Sequence, residues 1–133
     1  MKRLAIAFAT AAVLLSAPAL HAKERVSGEE KLAKLLEGRV AGEPVNCVPL
    51  SASDNMQIID KTAIVYGRGN TLWVNQPTNA NALDRDDILV RKSHTAQVCN
   101  LDTVQLLDRS SKFYTGFVGL NQFVPYRKVA VAD

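Results

Sequence analysis

Hydrophobic and polar residues follow three different patterns along this chain, and each predicts a different element. The first is an almost continuous apolar run, Leu4 to Leu15, broken only by Thr10 and preceded by Lys2 and Arg3. Its length matches the core of a signal peptide and falls short of the roughly 20 residues that a spanning helix needs. Pro18 and the small residues after it predict cleavage after Ala22, with Ala19 as the alternative. Residues 1–22 are therefore predicted to be a signal peptide. No later run is apolar enough to cross a membrane, so the remaining chain is expected to be exported without stable membrane insertion.

The second pattern is helical. In residues 23–43, the stretch VSGEEKLAKLLEGRVAGEP places Ser27 three residues before Glu30, the spacing of a capping box. Leu32, Leu35 and Leu36 fall on one face, Glu29 and Glu30 suit the helix N-terminus, and Gly38 offers a left-handed exit. This predicts a short amphipathic lead-in helix that docks its leucines on its own domain or in a partner's groove.

From Pro44 the period shortens to two. PVNCVPL reads as an edge strand with prolines at both ends. MQIIDKTAIVYGRGNTLWVNQP reads as a hairpin around GRGN, with Leu72 and Val74 on one face and Thr71, Trp73 and Asn75 on the other. DILVRKS and TVQLLD predict further strands, the latter with a helical alternative, and GFVGLNQFVPYRK holds two short runs around Gly-Leu-Asn. The expected fold is mainly β within an α+β arrangement: a small antiparallel sheet of about six short strands curled into a barrel or roll, with one helix against it. Residues 44–128 form the β domain, and residues 129–133 a frayed tail.

Composition changes the picture in two places. The chain of 133 residues has a net charge of +3, but loss of Lys2 and Arg3 leaves +1, which gives no reason to expect nucleic-acid binding. Cys47 and Cys99 are the only cysteines, in a chain predicted to reach an oxidising compartment. A bridge is the reading that compartment and even count favour; a metal ligand or a nucleophile are the alternatives for Cys99.

The quoted segments also carry a resemblance. Cys47, IIDKTAIVY, WVNQP, DDILV, VCNLDTVQLLDR and GFVGLNQFVPY together resemble a family of small exported proteobacterial proteins, of unknown function and abundant in sphingomonad-type bacteria. The same positions are similar, more distantly, to a broader family with Leu-Cys-x-x-Asp-x-Ile and a C-terminal Leu-Gly-x-Phe-x-Pro. That pattern often has a second cysteine pair, absent here, where Val118 precedes Gly119. The resemblance implies export, this fold and a single Cys47–Cys99 bridge, and it implies no activity.

Candidate chemistry is sparse. No Cys-x-x-Cys surrounds Cys99, and there is no GxSxG, HExxH or phosphate-binding glycine loop. NANALDRDDI has oxygen donors for calcium, but neither the spacing nor the central glycine of a calcium loop; no metal and no cofactor are predicted. A hydrolase or metal-dependent reading would rest on His94 with Asp86, Asp87 or Cys99. Asp102 and Asp60 are expected to cap turns. Tyr66, Trp73, Phe113, Tyr114, Phe117, Phe123 and Tyr126 are expected mainly in the core. Tyr66, Trp73, Arg91, Lys92 and His94 are the candidate binding surface. The expected function is a non-enzymatic binding or interaction module of the envelope, meeting an envelope protein or cell-wall component; a purely structural protein is the third class.

Overall fold

The computed structural model describes residues 26–130, so the predicted signal peptide and the last three residues of the predicted tail lie outside the described residues. Helix α1 spans Gly28–Leu35 and begins as the capping box requires: Ser27 Oγ accepts from the Glu30 amide, and the Glu30 carboxylate accepts from the Ser27 amide. Gly38 follows with φ +71°, a left-handed conformation open to glycine without a Cβ clash. Leu32 is buried, with Leu35 and Leu36 packed beside it. The helix thus docks on its own domain.

Ten short strands follow among the described residues: β1 Arg39–Ala41, β2 Cys47–Pro49, β3 Gln57–Ile59, β4 Ala63–Tyr66, β5 Thr71–Asn75, β6 Asp87–Arg91, β7 Gln97–Cys99, β8 Thr103–Asp108, β9 Tyr114–Gly119 and β10 Val124–Lys128. They form three antiparallel sheets, ordered β1-β10-β5-β4-β3, β2-β7 and β6-β8-β9. The fold is mainly antiparallel β, as the period-two pattern predicts, but the sheets do not close into a barrel. The predicted count of about six misses strands of only three residues, and the predicted first arm of the hairpin is split at Asp60–Thr62 into β3 and β4. The two runs around Gly-Leu-Asn do not form a hairpin: β9 pairs with β8, and β10 pairs with β1 and β5.

All four residues of β4 are buried, because the five-stranded sheet is covered on both faces. Ala63 and Val65 join Leu72, Val74, Ile59 and Leu32 beneath the helix. Ile64 and Tyr66 join the other core, with Val48, Val98, Leu106, Val118 and Phe123. Phe123 is fully buried and meets Tyr66 edge-on at 5.4 Å between ring centroids, a favoured aromatic geometry. Three other aromatics depart from the core expectation: Phe113, Tyr114 and Phe117 are exposed. They lie on or beside β9, the last strand of its sheet, whose outer edge is met only at Phe117 and Gly119, by bonds from Thr78 and Asn79.

The Cys47–Cys99 disulfide joins directly opposed residues of β2 and β7, with Cα atoms 4.0 Å apart. Asn100 N donates to Asn46 O at 2.7 Å and Leu50 N to Ala96 O at 3.0 Å, so Cys47 and Cys99 occupy a non-hydrogen-bonded pair. In that pair type side chains stand closest, which suits a bridge. Pro49 occupies the next such position, where its missing N–H breaks no ladder bond.

Replacing Cys47 with Ala removes a crosslink closing a loop of 52 residues and should cost about 4 kcal/mol of stability in the chain-entropy model. Denaturant titration measures the loss, and Cys99 should become open to alkylation in the variant alone. Gly28 packs against the β3–β4 turn so closely that an added Cβ would strike Thr62 Oγ1 and stand 2.6 Å from Asp60 O. Gly28→Ala should therefore destabilise by roughly 1–3 kcal/mol despite alanine's better helix propensity, read from the urea midpoint.

Candidate functional site

Two Asn-Gln dipeptides, Asn75-Gln76 and Asn121-Gln122, end β5 and precede β10. The fold brings them together. Asn75 is completely buried; its Nδ2 donates to Asn121 O at 2.6 Å, and its Oδ1 accepts from Asn121 N at 3.1 Å. Asn121 Nδ2 in turn donates to Gln76 O at 2.7 Å, and Gln122 Nε2 donates to Asn46 Oδ1 at 2.9 Å. A buried amide left without partners would cost about 1–3 kcal/mol, so this clasp fixes the loop 120–122 against β5.

The clasp forms one wall of an open groove of about 620 Å³. Its floor is apolar, with Leu32, Val74, Leu120 and Tyr126; its rim carries Gln76, Asn100, Asn121 and Gln122. None of the residues lining it is charged. Asn100 and the highly exposed Leu101 sit on the turn directly after Cys99. That turn is held by Asp102, whose Oδ2 accepts from Cys99 N at 2.9 Å and from Arg91 Nη1 at 3.0 Å. Asp102 O also accepts from Leu120 N, joining the turn to the clasp. The bridge and the Asp102 cap thus position half of the rim.

The residues singled out in the sequence take other places. Tyr66 and Trp73 are cross-strand partners, Tyr66 buried and Trp73 half-buried against the core. Burial pushes the Tyr66 hydroxyl well above its ordinary pKa, partly opposed by the positive charge of Arg91. Arg91 is engaged with Asp102 and with Gln97 O. Lys92 and His94 are exposed in the loop between β6 and β7. Asp86 and Asp87 lie at the opposite end of β6, so its length of about 13 Å stands between them and that loop. Cys99 carries no free thiol. The structure therefore does not assemble His94 with Asp86, Asp87 or Cys99, and among the described residues no group of three or more His, Cys, Asp or Glu is arranged to hold a metal ion.

The acidic positions act on the backbone. Asp60 Oδ1 accepts from Arg85 N at 2.6 Å, and Asp87 Oδ2 accepts from Asp84 N at 3.2 Å. Burial raises the Asp87 pKa, opposed by that backbone bond. Asp108 Oδ1 accepts from the hydroxyls and amides of Ser110 and Ser111, which hold its carboxyl down at about 2.

No protein-family model matches the chain, and no curated protein or solved structure is significantly similar to it.

The Asp108 cap should make the β8–β9 turn acid-sensitive. Its folded pKa lies below the ordinary value near 4, so the unfolded chain takes up the proton first. This stabilisation is complete above about pH 5 and lost as pH falls through about 4 to 2. Asp87 contributes with the opposite sign, because its raised pKa favours the folded state at low pH. Comparing urea midpoints at pH 6 and pH 2.5 isolates Asp108: the acid-induced loss should be smaller in Asp108→Asn than in the wild type.

Proposed function

We propose that this chain is a non-enzymatic, exported binding module of the cell envelope, and that the amide-lined groove is its binding site. The uncharged groove carries the reading: primary amides converge there over an apolar floor. A primary amide presents both donors and an acceptor, which complements hydroxyl and acetamido groups. Apolar floors with a few placed polar groups are the usual make-up of small-ligand sites, and about 620 Å³ falls within their range. An N-acetylated cell-wall glycan fits this chemistry, its hydroxyls and amides meeting Gln76, Asn100 and Gln122 and its C–H faces meeting Tyr126 and Leu120. Export is supported by the signal-like N-terminal run, and an oxidising destination by the disulfide. The resemblance to small exported proteobacterial proteins points to the same compartment.

Isothermal titration with a soluble N-acetylglucosamine tetramer tests the proposal. Gln76 and Asn100 make no side-chain bond among the described residues, so Gln76→Ala and Asn100→Ala should leave the fold intact. Each should weaken binding by roughly three- to tenfold, the worth of a hydrogen bond. Failure of the tetramer to bind at millimolar concentration, or binding insensitive to both substitutions, rejects a glycan at this groove.

A further inference from the structure

The five-stranded and three-stranded sheets face a common core, yet one long seam between them is unpaired. β3 is the last strand of the first sheet and β6 the last of the second. Between them runs a groove of about 480 Å³, lined by Met56 and Ile58 from one side and by Leu89 from the other, with Arg85, Arg109 and Asp87 along it.

The hydrogen-bond phase of each strand is readable. Thr62 N donates to Ile59 O, which puts the ladder groups of Ile59 toward β4. Antiparallel ladders alternate, so the N–H and C=O of Ile58 point away from β4. On the other side, Arg109 N donates to Asp86 O and Asp108 N donates to Phe113 O. Those bonds place Leu107 in ladder with β6 and Leu106 in ladder with β9. Leu89, opposite Leu106, therefore also turns its N–H and C=O away from its only neighbour. Both edges thus offer backbone donors and acceptors to the same groove, and their apolar side chains continue the core.

Charge selects what fits there. Among the described residues Arg91–Asp102 is the only ion pair, so neither the Arg85 nor the Arg109 guanidinium is paired with a carboxylate. Asp87 is the one acidic residue of the groove, and its Oδ2 is turned to the Asp84 amide.

We propose that this seam is a strand-addition site: an extended peptide segment of a partner protein, apolar on one face and carrying acidic side chains, inserts between β3 and β6 and joins the two sheets. Backbone bonds to Ile58 and Leu89 supply affinity, and the two arginines select acidic residues. The site is separate from the amide-lined groove and does not depend on its ligand.

The test uses end-blocked octapeptides of alternating valine and glutamate, with the full chain in its oxidised form. Hydrogen exchange followed by NMR should slow at least tenfold at the Ile58 and Leu89 amides when the peptide is present at millimolar concentration. Calorimetry should show binding that weakens at least tenfold in Arg85→Gln/Arg109→Gln; both positions are exposed, and the change gives up only the 3.5 Å bond from Arg109 Nη2 to Asp87 O. A peptide N-methylated at alternate residues, unable to complete the ladder, should not bind. Unchanged exchange at both amides, or equal binding of the N-methylated peptide, overturns the proposal.

Discussion

Every residue of β4 turns its side chain into a protein interior, and the rest of the chain is arranged around that requirement. A strand buried on both faces needs two coverings. The helix lays Leu32 across one face, over Ala63 and Val65, and the paired sheets bring Leu106, Val118 and Phe123 to the other, over Ile64 and Tyr66. With side chains projecting alternately, adjacent residues of β4 serve different cores, so a register slip of one residue would exchange the two sets. The neighbouring strand β5 repeats the division, Leu72 and Val74 lying beneath the helix and Trp73 on the opposite side.

The polar devices at the edges of this core fix the positions of the segments they join. Asn75 spends both ends of its amide on the backbone of Asn121; Asp102 ties Arg91, the Cys99 amide and, through its own carbonyl, Leu120. Together with the disulfide they hold a turn and a loop from distant parts of the chain at one groove. Carboxylates committed to backbone amides in this way are poorly placed for acid–base chemistry, and the three clearest cases, Asp60, Asp102 and Asp108, all cap turns.

Much of this was legible in the chain because the signals were local. The capping box at Ser27 and Glu30, the β-rich run through Tyr66 and the turn at Asp60 are written in neighbouring residues. Strands β1 and β7 were not, since three residues carry too little alternation to declare a period. The separation of β9 from β10 was also hidden, because the choice of partner depends on residues far away in sequence. Tyr114 and Phe117 looked like core for the same reason: composition records an aromatic but not whether its strand lies at an edge. The groove had a visible signature in its twin Asn-Gln dipeptides. Its meaning emerged only when the fold set them side by side, while Tyr66, Arg91 and His94 drew attention by residue type alone.

The order of strands has a bearing on how such a chain is made. In the five-stranded sheet β10 lies between β1 and β5, so the strand synthesised last among those described enters the sheet in its interior. Until it emerges, β1 has no partner and one edge of the central hairpin stays open. The contacts that finish the sheet span nearly the whole described chain, a topology that folds late and slowly compared with nested hairpins. Completion of the five-stranded sheet beyond the β3–β5 meander therefore waits for β10, whereas the β6-β8-β9 and β2-β7 pairings need nothing from it. Before that moment the free edge of β5 is open to any other strand; after it, that edge is taken by β10.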